Sequence, residues 1–141
     1  MWRVAVLVDI LVGQTVGDDI RSFAMAVEQM TCALRHDMPE VESGDLGYPF
    51  KKANPAIQEM LHDFDEDWFE RHEMYQPPPS PLVKMCDRLD SYLFMLTHAP
   101  DLFCNKPWMD LKEDILDQAT DLGLFHDVNK LMDEAQKKEW F

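Results

Sequence analysis

The tightest constraint on this chain is the spacing of its apolar residues, which recur at steps of three and four, the period of helices buried along one side. Ile20, Phe23, Val27, Met30 and Leu34 form one such stripe, and Asp18 and Asp19 stand where a capping residue belongs. Ile57, Met60, Leu61, Phe64 and Trp68 form a second, opposed by Asp63, Glu66, Asp67 and Glu70. The run RVAVLVDILVG is rich enough in β-branched residues for a buried parallel strand, but no glycine fingerprint follows it and no other segment looks like a partner strand. It reads as a buried helix. PLVKMCDRLDSYLFMLTHAP, residues 81–100, is apolar on most of its circumference, with Lys84, Arg88 and Ser91 as a narrow polar strip, and so belongs near the centre of a bundle. Segments from about 108 to 122 and 126 to 139 are amphipathic as well. Between the stripes, the helix running into His36 must loosen before Pro39, because the residue preceding a proline avoids the α region, and a loop is expected to about Ala53. YQPPPSP, residues 75–81, is an extended connector that no helix survives. The expectation is an all-α, single-domain helical bundle of about six helices spanning residues 1–141.

A chain of 141 residues with 46% hydrophobic content can bury a core without disulfides or structural metal. Its three cysteines lack CxxC spacing and read as reduced thiols of a cytoplasmic protein, with Cys32 and Cys86 as core filler. The net charge of −14 repels phosphate backbones and anionic membranes, so neither nucleic acid nor membrane is an expected partner. A small phosphate ester remains compatible with that charge if a bound cation and a few basic residues reverse the field locally. Asp9 interrupts the apolar start and only Arg3 supplies positive charge there, which is not the pattern of a targeting segment.

His-Asp occurs three times, at His36-Asp37, His62-Asp63 and His126-Asp127. His62-Asp63 lies in an acidic stretch and reads as a solvated helix face. Asp127 follows the turn DLGLF and reads as first-turn helix charge or a cap. His36-Asp37 ends an apolar helix, and Glu40 follows four residues after the histidine. Imidazole beside carboxylate suits Mn, Fe, Co, Ni or Mg, and Glu40 could donate a proton or orient water over the same site. Spacing alone leaves a cap followed by a turn as an equal reading. Asp87, beside Val83 and Phe94 on the later helix, is a carboxylate that partial desolvation would oblige to find a partner.

HDMPEVESGDLGYPFKK and LVKMCDRLDSYL together resemble the HD-superfamily phosphohydrolases of the YfbR-like 5′-deoxynucleotidase branch, in the correct order and at roughly the correct separation. The resemblance covers residues 2 to about 97; the rest matches only in helical character. It implies an HD-type fold in which His36, Asp37 and Asp87 hold a divalent metal ion (Mn, Co, Mg, Fe, Ni or Zn). It also implies Glu40 as the catalytic carboxylate and Asp45 as a contact to the sugar hydroxyl. The implied reaction is hydrolysis of a deoxynucleoside 5′-monophosphate by metal-activated water. Arg3, Arg35, Lys51, Lys52 and Lys84 are the candidates for balancing the phosphate charge, each equally readable as a solubilising side chain.

Alternatives within the resemblance are a deoxynucleoside triphosphate phosphohydrolase of phage type, acting in the host cytoplasm, and a degenerate, non-catalytic HD protein that binds nucleotide or a protein partner. The family also implies a homo-oligomer, a dimer or larger, for which Trp140 and Phe141 would suit a contact. One departure stands out: the family carries a first ligand histidine on its opening helix, and MWRVAVLV fits the residues that follow it, which places that ligand just before Met1. The family's upstream Arg-Trp substrate contacts fall there too. His72, in phase with Trp68, is the one substitute ligand to consider, against the reading of a packed histidine.

Overall fold

A computed structural model describes residues 2–12 and 20–137, whose regular secondary structure is all helical, with no strand among them. Asp18, Asp19, Trp140 and Phe141, which the sequence suggested as caps and as an oligomer contact, lie outside the described residues. Six long helices make the bundle: α1 (Trp2–Val12), α2 (Ile20–Arg35), α5 (Pro55–Arg71), α6 (Pro81–His98), α7 (Lys106–Asp121) and α8 (Phe125–Gln136). Two short ones, α3 (Glu40–Ser43) and α4 (Tyr48–Ala53), lie between α2 and α5, and a 3₁₀ turn (Pro100–Cys104) joins α6 to α7.

The centre is α6, which touches α1, α2, α7 and α8. Leu82, Val83, Met85, Cys86, Leu89, Tyr92 and Leu93 are all buried, so this helix presents core on most of its circumference, as its composition requires. Val4, Leu7, Val8 and Leu11 repeat at helical spacing on α1 and pack into the same cluster, as do Leu111 and Ile115 of α7 and Val128, Leu131 and Met132 of α8. The register of α6 is set at its start. Ser80 adopts extended geometry and its Oγ accepts a 3.2 Å bond from the Val83 N–H, while Pro81 occupies the first turn, where its missing N–H costs nothing.

Two expectations need correction. Residues 40–53, read as loop, contain α3 and α4, because the prolines start helices here rather than ending them: Pro39 takes right-handed helical angles as the cap of α3, and α4 and α5 each carry a proline in their first turn. Gly44, at φ +81°, ends α3 in a conformation that a side chain would strain. The α2 stripe is the second case. Phe23, Val27 and Leu34 are 70%, 49% and 46% exposed, whereas Cys32 and Ala33 turn inward. The apolar arc of α2 is wider than the strip its neighbours cover, and period alone does not tell which part they cover.

Candidate metal centre

The end of α2 is where His36 and Asp37 gain their geometry. The His36 N–H still donates to the Cys32 carbonyl at 2.9 Å, and the chain then tightens, with the Met38 N–H bonded to the Arg35 carbonyl at 2.9 Å. That turn folds the imidazole back, so that Nδ1 lies 2.9 Å from the Ala33 carbonyl. A carbonyl only accepts, so Nδ1 carries the hydrogen and Nε2 faces the other way. Nε2 sits 2.8 Å from Asp37 Oδ1 and 3.3 Å from Asp87 Oδ1, the latter projecting from the second turn of α6. One donor atom from each of His36, Asp37 and Asp87 lies within 4.8 Å of the others. The carboxylate fifty-one positions from the histidine is thus brought to it by packing, not by local sequence.

The donor set fits a divalent cation. Ligand histidines commonly give their second N–H to a backbone carbonyl, which fixes the tautomer and aims the free nitrogen at the metal, and Ala33 has that role here. One imidazole nitrogen and carboxylate oxygens suit first-row divalent metals or magnesium. Without a cation the same geometry holds a proton. Burial alone would lower the pKa of His36, but hydrogen bonds to Asp37 and Asp87, followed by their charges, outweigh it and raise it to about 10. Burial pulls Asp37 upward, yet the His36 hydrogen bond and charge bring it below the usual carboxylate value.

The three groups line a cavity of about 630 Å³, within the roughly 300–1,000 Å³ typical of small-molecule sites. Glu40, at the start of α3, lines it too and accepts a 3.3 Å bond from Lys51 Nζ. Burial, then the charge of Asp37, pushes the Glu40 carboxyl upward against the pull of Lys51. Glu42 ties α3 to α5: the buried Trp68 donates its indole N–H to Glu42 at 2.9 Å, and Arg71 lies 3.7 Å from the same carboxylate. Asp45 lines the cavity from the exposed segment between α3 and α4, and Lys84 lines it from α6. Arg3 lines it as well, its guanidinium bonded to both Asp90 oxygens at 2.9 and 3.0 Å.

Other candidates do not reach the cavity. Arg35 donates to the Tyr75 carbonyl at 2.9 Å, and Lys52 pairs with Asp114 at 3.0 Å. His72 stacks on Trp68 with ring centroids 4.0 Å apart and bonds the Trp68 carbonyl through Nδ1 at 2.7 Å; it is an exposed residue at the end of α5 and lies outside the donor group. His62 is exposed and paired with Glu66 at 3.7 Å, and Asp127 lies in the first turn of α8, as expected of both. The sequence reading missed Asp65, which lines the cavity and whose carboxyl burial pushes upward, against the charge of Lys51. A signal was present: Asp65 falls four residues after Leu61 and three before Trp68, so it interrupts an apolar stripe rather than facing away from it.

Compared with protein-family models, curated proteins and solved structures, the chain matches none, and the functional reading rests on its own residues.

Proposed function

We propose that this protein is a metal-dependent phosphohydrolase of HD type, acting on deoxynucleotides, with deoxynucleoside 5′-monophosphates as first choice and triphosphates as the alternative. The observation that carries the reading is the meeting of His36, Asp37 and Asp87 within 4.8 Å on one wall of a ligand-sized cavity. His36 through Nε2, with the two aspartates, would hold the cation. When bound there, a divalent ion supplies the positive charge that acidifies water and offsets the charge of a phosphate ester.

That charge is needed, because the cavity is lined by six carboxylates (Asp37, Glu40, Asp45, Asp65, Asp87 and Asp90) against three cationic side chains. Arg3 and Lys51 already hold carboxylates, which leaves Lys84 as the cation most available to a phosphate oxygen. Glu40, which lines the same cavity and is raised toward protonation by its burial, would exchange a proton with the attacking water or the leaving oxygen. Lys51 moderates that tendency and can pass from Glu40 to the ester as it enters.

The acidic surplus also favours the second reading, a non-catalytic HD remnant that binds a cation or nucleotide without turnover. Two measurements on the purified chain separate the readings: metal content, and phosphate release from deoxynucleotides with Mn, Co or Mg added. Bound metal with no phosphate released from any of them would leave only the remnant. Glu40→Gln should keep the metal and lower turnover by at least a hundredfold, the usual scale for removing an acid–base group. Undiminished turnover in that variant would remove Glu40 from the chemistry.

A further inference from the structure

Arg3 is held in the cavity by more than one group. It reaches from α1 to α6, where Nε and Nη2 meet the two oxygens of Asp90 at 2.9 and 3.0 Å in a side-on, two-point pair. Its guanidinium carbon also lies 5.1 Å from the centroid of the Phe94 ring, which is itself stacked with His98 at 4.2 Å and 16°. Asp90, Phe94 and His98 follow at steps of four on α6. One stripe of one helix therefore supplies the carboxylate, the ring and the group stacked on that ring.

The fold does not require so elaborate a pair. The Arg3 and Asp90 side chains are 40% and 17% exposed, and an ion pair so open to water adds little to stability. Asp90 also takes only one edge of the guanidinium. The end edge, with one N–H from each terminal nitrogen, is a planar two-donor fork that no acceptor among the described residues engages. Both residues line the cavity, and Asp90 stands three positions after Asp87, about 4.5 Å further along the α6 axis. The fork is thus anchored within one helical turn of the His36, Asp37 and Asp87 group.

We infer that Asp90 is a positioning residue: with the Phe94 ring it fixes the Arg3 guanidinium so that the open edge receives two oxygens of a phosphate lying beside the metal group. The phosphohydrolase reading gives this contact its place in turnover. Arg3 supplies direction there rather than charge, because Asp90 offsets its charge, and the attraction comes from Lys84 and the cation. Simple electrostatics points the other way for Asp90. It is one of six carboxylates in a cavity that must admit an anion, so removing its charge would by itself favour phosphate. The two roles differ in sign.

The test measures phosphate binding apart from turnover. Inorganic phosphate is titrated calorimetrically, with Mn present, into the wild-type chain, Asp90→Asn, Arg3→Lys and the double variant. Asparagine removes the charge at nearly constant shape, and lysine keeps the charge of Arg3 without its fork. Phosphate should bind the wild type and weaken about tenfold in each single variant, the scale of one charge-assisted hydrogen bond. The double variant should be no weaker than Arg3→Lys alone, since Asp90 acts through Arg3. KM for a deoxynucleoside 5′-monophosphate should rise by a similar factor in the single variants, while bound manganese stays constant.

Phosphate that binds Asp90→Asn as tightly as the wild type, or more tightly, overturns the positioning role and leaves the hydrolase reading intact. A double variant much weaker than Arg3→Lys overturns it as well, by giving Asp90 an effect that does not pass through Arg3, and so does a wild type that takes up no phosphate. Binding that weakens in both single variants, with no phosphate released from any ester, retains the role of Asp90 and overturns the hydrolase reading instead.

Discussion

His36 is the residue on which the candidate metal centre turns, because its two ring nitrogens face different partners. Nδ1 is tied to the Ala33 carbonyl, and Nε2 is left between two carboxylates, where on the proposed reading a proton and a cation compete for it. The competition has a direction. A histidine whose folded pKa is about 10, against an ordinary 6.5, adds stability that is complete below pH 6.5 and is lost as pH rises through about 10. With chelator present, the melting temperature of the wild type should therefore decline across that window more steeply than that of His36→Gln, as followed by circular dichroism. Cobalt affinity should climb over the same range, since the metal replaces the proton. Among carboxylates, Asp87→Ala should abolish both bound metal and turnover, whereas Asp63→Ala and Asp127→Ala should leave both near normal. Metal analysis of the three variants checks this, and equal losses in all three would mean that another His-Asp pair holds the ion.

At the scale of elements, the unexpected feature is α3. Four residues are too few to form a helix alone, so Glu40 depends on what braces the segment: Pro39 at its start, Gly44 at its end and the Trp68–Glu42 bond from α5. Trp68→Phe removes the indole donor while keeping an aromatic ring on the buried side. Stability should fall by about 1 kcal/mol in urea denaturation, the usual net value of one hydrogen bond. Turnover should drop while bound metal stays constant, because the bond braces α3 and not the ligands. The letters of this segment were visible in the sequence, but its helical character was not, since Pro39 read as the end of a helix, whereas it caps α3, and α4 and α5 carry their prolines in the first turn. The α2 stripe shows the converse. Its period declared a helix, yet the residues that face the core are Cys32 and Ala33 rather than Phe23 and Val27.

In the whole molecule, α6 carries both the core and the site: Cys86 and Leu89 are fully buried, and between and beyond them Asp87, Ser91 and Phe94 line the cavity. Leu89→Ala should destabilise the fold by about 2–5 kcal/mol, as large-to-small core changes do, and denaturant melts measure it directly. Placed against an all-helical bundle, the sequence by itself determined the six long helices, the central position of α6 and the buried thiols Cys32 and Cys86, and its two motifs suggested the three ligand candidates. Periodicity, composition and two short motifs carry that information locally. Only the tertiary structure decided that Asp87 meets His36, that Arg35 and Lys52 turn away to other partners, and that Asp65, Phe94 and Trp108 share the cavity. The physical reason is that a helical period specifies one face of one helix, whereas a site is made where faces of several helices meet, and crossing geometry is set by the packing of all of them at once.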